Sequence, residues 1–194
     1  MTSRDKILAA VKENQPVMNA LPNMENFISI QYADVVEQFK NVFEAIGGKI
    51  VLINSLDDIN NFILQQFDTN KNIITTLPEL QEIKKLDSSV DAHQLANIEL
   101  AILPALFAVA ENGAVWITEK EMKIRALPFI CQQLCIVLSK KNIINNMQEA
   151  YDIILQNEYN FAAFIAGPSK TADIEQSLVL GAHGPGKMTI FLEE

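Results

Sequence analysis

Apolar residues recur along this chain at two spacings, and the alternation between them outlines a fold. Val35, Val36, Phe39, Val42, Phe43 and Ile46 fall at helical spacing, and Gly47-Gly48 ends that run. Residues 49–53 then read as a short strand. Ser55 with Asp57 and Asp58 opens a second helix that carries Leu56, Ile59, Phe62, Ile63 and Phe67. The pattern predicts a strand at 72–75, a short helix at 78–83 and a third strand at 98–103. Two apolar segments, 105–110 and 114–118, flank the turn Glu111-Asn112-Gly113. A further strand covers 133–138, and Asn146 with Glu149 caps a helix bearing Met147, Ala150, Tyr151, Ile154 and Leu155. Near the end, 161–166 reads as a buried strand that Gly167-Pro168 breaks. Ser169 or Thr171 is placed to cap a helix running to Gly181, and 188–192 forms the closing strand. Strand, turn, helix, turn, strand is a βαβ unit. Alternation of this kind predicts an α/β domain around a mainly parallel sheet, with helices on both faces.

An N-terminal helical arm precedes that domain. Thr2-Ser3 with Asp5 forms a capping pattern, and Ile7, Leu8 and Val11 share a face. Pro16, Asn19, Pro22 and Asn23 punctuate the connection, so the expected division is an arm at 1–27 and a domain at 28–194. A helix this short is marginal alone and needs a surface, on its own domain or on a partner subunit of a homo-oligomer.

Composition narrows the function classes. Apolar residues at 49% and charged ones at 20% fit a globular chain rather than a disordered one. A formal charge of −9 leaves no basic surplus for nucleic acid or anionic membranes. No apolar run reaches the length of a membrane span, and no signal-peptide core follows the first residues, so a cytoplasmic protein without membrane insertion is expected. Cys131 and Cys135 are too few for a disulfide framework or a four-cysteine metal site, and His93 and His183 lack ligand partners at suitable spacing. No metal and no cofactor held by this chain is expected.

Candidate chemistry concentrates in three loops: 111–113, 167–171 and 183–187. In open α/β sheets ligands sit beyond the carboxyl ends of strands, and these loops are expected there. Ser169, Lys170 and Thr171 combine two hydroxyls, an ammonium group and an expected helix N-terminus, which suits a carboxylate or phosphate, so an anion-binding crevice for a small organic acid or a phosphorylated cofactor is expected. Asp173 and Glu175 could offer acid–base chemistry, but two residues apart on a helix they do not share a face. Asp173 is placed to hold Lys170, Arg125 or the 183–187 loop through a salt bridge. His183, among glycines, sits where backbone can approach a ligand.

Residues 167–175, Gly-Pro-Ser-Lys-Thr-Ala-Asp-Ile-Glu, followed by Leu-Gly-Ala-His-Gly-Pro at 180–185, resemble the C-terminal signature of the LUD-domain lactate-utilisation family. Residues 108–116 are similar to that family's central strand-turn-strand, and Arg125-Ala-Leu-Pro128 to the stretch that follows it. The resemblance covers roughly the last half of the chain. It implies a fold of the NagB/RpiA/CoA-transferase type and a role in oxidising L-lactate to pyruvate. It also implies that the iron–sulfur clusters belong to cysteine-rich partner subunits. Arg125, Asn112, Ser169, Lys170, Thr171 and Asp173 become candidate ligand-binding residues, with Glu111 and His183 as candidate catalytic ones. Glu111-Asn112-Gly113 further resembles the turn that carries the nucleophilic glutamate of CoA-transferases, which would attack an acyl-CoA. Asn-Gly is equally the common signal for a tight hairpin. One departure stands out: where relatives often carry a histidine after the proline, this chain has Gln132 and Gln133. A stand-alone CoA-transferase-like or sugar-phosphate-isomerase-like enzyme, and a non-catalytic assembly or sensor module, are the alternatives.

Overall fold

The computed structural model describes residues 2–20, 28–68, 70–87, 89–172 and 178–194. In chain order its main elements are α1 (Ser3–Glu13), α2 (Val35–Ala45), β1 (Lys49–Ile53), α3 (Asp57–Gln66), β2 (Ile73–Thr75), β3 (Lys84–Lys85), β4 (Leu100–Pro104), β5 (Phe107–Val109) and β6 (Ala114–Thr118). There follow α4 (Glu119–Met122), α5 (Leu127–Ile130), β7 (Gln133–Ser139), β8 (Ile143–Ile144), α6 (Met147–Ile154), β9 (Ala162–Ile165), β10 (Lys170–Ala172), β11 (Leu178–Leu180) and β12 (Lys187–Glu193).

Six strands form a sheet in the order β1-β12-β7-β4-β2-β3, with every pair parallel. Its central strands are apolar on both faces because both are covered. Leu100 and Ile102 of β4 join Ile59 and Ile63 of α3 in one core. Ala101 and Leu103, alternating with them, join Phe39 and Phe43 of α2 in the other. That second face is also covered by a second sheet, ordered β8-β5-β6-β9, which contributes Ala108, Val115 and Ile117 to the same core. The outer side of the small sheet carries Phe107, Trp116 and Phe164, against which α6 packs Ala150. The molecule is therefore layered as α3, parallel sheet, then α2 and small sheet, then α6.

Three expectations change. The segment 78–83 is a run of turns, although Leu80 and Ile83 still seal the α3 core. Residues 161–166 contain a strand, but β9 pairs antiparallel with β6 and so lies outside the parallel sheet. The expected helix after Gly167 is instead, in its described residues, an antiparallel pair in which Lys170 faces Leu180 and Ala172 faces Leu178. Part of the reason is visible in sequence: Leu178-Val179-Leu180 is a short, wholly apolar run centred on a β-branched valine, which suits a strand.

The arm's helix forms as expected, and of the two surfaces open to it, its own domain does not cover it. Thr2 and Asp5 make a reciprocal capping box, and α1 buries no residue. Ile7, Leu8 and Val11 remain 64%, 56% and 57% exposed, so the apolar face is not spent on the domain. No helix among the described residues is long and apolar enough to cross a membrane.

Candidate functional site

The three loops singled out above lie toward the amino ends of the parallel strands, not their carboxyl ends. The 183–187 loop leads into β12, whose Lys187 pairs with Gln133 at the start of β7. Gly186 N–H donates to the Gln132 carbonyl at 2.9 Å, and Gln132 N–H to the Ile98 carbonyl at 3.0 Å, at the foot of β4. Gln132 and Gln133 thus sit where β7 begins, and Gln133 donates from its side-chain amide to Glu99 at 3.2 Å. The hydrogen bond from Lys71 holds the Glu99 carboxyl below the usual range, against the opposing effect of desolvation, with a lesser contribution from that amide.

Ser169 bridges the two glycine-rich turns. Its N–H donates to the Pro185 carbonyl at 2.9 Å, and its carbonyl accepts from Gly181 N–H at 3.0 Å. The Ser169 side chain lies so close to Gly184 that an added Cβ there would stand 3.1 Å from the serine Cβ. Lys170 is exposed and passes over Gly47, where an added Cβ would lie 3.8 Å from its Nζ. The Ser169 N–H is thus engaged and its described neighbours pair as a strand, so the groups that an anion would meet at this edge are the Ser169 hydroxyl, the Lys170 ammonium and the exposed His183. Thr171 pairs through its backbone with Val179, and Asp173 and Glu175 lie outside the described residues.

Glu111-Asn112-Gly113 makes the β5–β6 hairpin. Gly113 N–H donates to the Val109 carbonyl, and Asn112 Oδ1 accepts from Ala114 N–H at 3.0 Å. Gly113 has φ of 71°, and an added Cβ would press 3.3 Å from the backbone of Phe43. Gly167, with φ of 73°, is equally tight against the Ile46 carbonyl, so both turns clasp the end of α2. The Glu111 carboxylate accepts from Met147 N–H at 2.9 Å, at the head of α6. Arg125 is elsewhere. It forks onto Glu119 at 2.7 and 3.1 Å and stacks over Phe161, and no contact ties it to Ser169 or Lys170 among the described residues. Asn160 and then Arg125 hold the Glu119 carboxyl low. The predicted residues thus form a loose edge around Gly47, Ser169 and Gly184, with Glu111 and Arg125 each committed to a separate structural contact.

The carboxyl edge holds residues that the sequence reading passed over. Beyond β2, β3 and β4 lies a cleft with two adjoining lobes of about 300 and 230 Å³. The larger is lined by Thr75, Thr76, Pro78, Lys85, Leu86 and Lys123. The signal available was Thr75-Thr76 at the end of an apolar strand, followed at a distance by lysines.

The LUD domain family matches residues 68–192. Among curated proteins, the chain is similar to Lactate utilization protein C of Anoxybacillus flavithermus, with 26% identity over 84% of this chain and 71% of that protein. It is 30% identical to Lactate utilization protein C of Geobacillus kaustophilus over 51% of this chain, an alignment that spans 43% of that relative's length. Among solved structures, a DUF162 family protein from Deinococcus radiodurans superposes with a TM-score of 0.62 at 13% identity, covering 86% of this chain and all of that one. At that identity the likeness speaks for the fold. The family match takes in more than half of the chain, from the approach to β2 into β12, and the chain belongs to the LUD-domain family.

Proposed function

We propose that the chain is a cytoplasmic subunit of a lactate-utilisation system and supports the oxidation of L-lactate to pyruvate. The observation that carries this is the LUD match across 68–192 together with relatives that bear the name Lactate utilization protein C. The redox centres belong, on this reading, to cysteine-rich iron–sulfur partners. The thiols here favour that division of labour: Cys131 lies in the core on one face of the parallel sheet and Cys135 in the core on the other. Burial pushes both up to about 12, far from the thiolates that iron ligation requires. Ser169, Lys170 and His183 form the edge offered to a small organic acid. The Lys170 ammonium supplies the charge, and the absence of a side chain at Gly47 lets Pro168 and Lys170 pack over its backbone.

Growth on L-lactate tests the reading. A host lacking its own homologue should regain growth with this chain, and affinity purification should retain iron–sulfur partners. Lys170→Ala should weaken lactate or pyruvate binding measured by calorimetry. Failure to complement, with no cysteine-rich partner retained, would overturn the role. The Glu111 carboxylate is taken up by the head of α6, which ties it to the hairpin rather than to acyl transfer; full acyl-CoA exchange activity lost only in Glu111→Gln would reverse that assignment.

A further inference from the structure

We propose that the cleft at the carboxyl edge is a phosphate-binding site, filled by the phosphoryl group of a small phosphorylated ligand. The inference stands apart from the proposed role in lactate utilisation and from the Ser169–Lys170 edge. Topology supplies the first argument. The chain leaves β2 toward β3 on one side, while β4, on the other side of β2, leads on toward β7. The two neighbouring strands therefore send their connections in opposite directions, and the crevice beyond their carboxyl ends is where such sheets take ligands. Thr75 and Thr76 from β2 and Pro104 from β4 line this cleft.

Chemistry supplies the second argument. The Thr75 hydroxyl is fully occupied: it donates to the Ile102 carbonyl at 3.0 Å and accepts from Leu77 N–H at 3.1 Å. The adjacent Thr76 hydroxyl is buried and has no hydrogen-bond partner among the described residues. A buried hydroxyl without a partner is costly; Oγ1 is closed to solvent while Thr76 itself is only half-buried, so a rotation about χ1 would bring the hydroxyl to a ligand oxygen in the cleft. Lys85 and Lys123 border the same lobe, whose lining contains no carboxylate, and Lys120 borders the next one beside Glu79 and Glu121. Glu121 is committed to the N–H and hydroxyl of Thr118. None of the three lysines enters an ion pair among the described residues, and Lys85 donates only to the Leu80 carbonyl. Positive charge is thus gathered in one cleft of a chain whose formal charge is −9. Ammonium groups act as compact point charges that can hold a phosphate oxygen without a fixed fork geometry.

Backbone geometry supplies the third. Lys123 has φ of 61° and ψ of −48°, and Ile124 N–H donates back to the Met122 carbonyl at 2.7 Å. This is the rare, strained γ-turn, held by a lysine where glycine would be comfortable. Among the described residues it is the one non-glycine residue with positive φ. Strain retained at a cleft-lining lysine fits a residue kept for its side chain.

Titration of the whole chain with inorganic phosphate, followed by ³¹P NMR and calorimetry at constant ionic strength, tests the site. Saturable binding is expected, weakened at least about tenfold in Lys85→Ala/Lys123→Gly and unchanged in Lys12→Ala on the exposed arm. Thr76→Val guards against misfolding as an explanation: it removes only the unpartnered hydroxyl, should melt no lower than the wild type, and should still lose affinity. Absence of saturation, equal binding in the lysine variant, or a loss confined to Lys170→Ala would overturn the proposal. Loss of phosphate binding leaves growth on lactate as a separate readout, so the two readings fail independently.

Discussion

The two ends of the parallel sheet are built on opposite economies of polar groups. At the amino end the turns are knitted together: Ser169, Gly181 and Gly186 spend their N–H groups on neighbouring carbonyls, and Gly113 and Gly167 press on the end of α2. At the carboxyl end one threonine hydroxyl is left without a partner, one lysine is strained, and three ammonium groups share a cleft. Both ends contain the residue types expected of an anion site. At the first, backbone donors are taken and side chains are what remains on offer; at the second, a buried hydroxyl also lacks a partner. A motif marks where the chain is constrained, and constraint by packing leaves the same trace in sequence as constraint by a ligand.

Substitution at the tight end should produce the largest effect. Gly167→Ala adds a Cβ 3.1 Å from the Ile46 carbonyl at a positive φ and should cost about 2–3 kcal/mol in urea unfolding, while phosphate binding at the far end survives. Lys123→Gly should move stability the other way, gaining about 1 kcal/mol by relieving the γ-turn, and an unchanged or lower melting temperature would mean the turn carries no strain. Glu111→Ala should cost about 1 kcal/mol through the loss of its contact with the head of α6. The smallest effect belongs to Glu99, whose folded-state carboxyl is held low by Lys71. A depressed carboxyl contributes stability above its unfolded pKa and loses it as pH falls through the folded value, so Glu99→Gln should flatten the acid limb of a stability–pH curve by about 0.5 kcal/mol.

Much of the scaffold was legible because burial on both faces writes a continuous apolar run, as in β4 and β7, and because α2 and α3 show a single apolar stripe closed by glycine or a polar residue. What sequence could not assign was partnership. Residues 162–165 look the same whether they extend the parallel sheet or pair with β6 in the smaller one. Ser169, Thr171 and Asp173 offer a helix cap locally, yet described residues on either side of 173–177 pair as strands, a choice made by the register of Lys170 with Leu180. The edge on which a loop falls was recoverable: a turn that leads into a parallel strand, as 183–187 leads into β12, must lie at its amino end. The carboxyl-edge cleft escaped because Thr76, Lys85 and Lys123 are far apart in sequence and meet only through strand order.

Strand order also has a consequence for how the molecule assembles. β12 lies second in the sheet, between β1 and β7, and it is the partner through which β1 joins the sheet. Lys49 must therefore wait for Thr189, across most of the sequence, before its edge is satisfied. Contacts of such separation slow folding, and β1 gains its strand partner only once β12 is in place. During synthesis the β1 edge therefore has no strand to pair with in this sheet until the residues of β12 emerge, and an unpaired strand edge is a template for other chains.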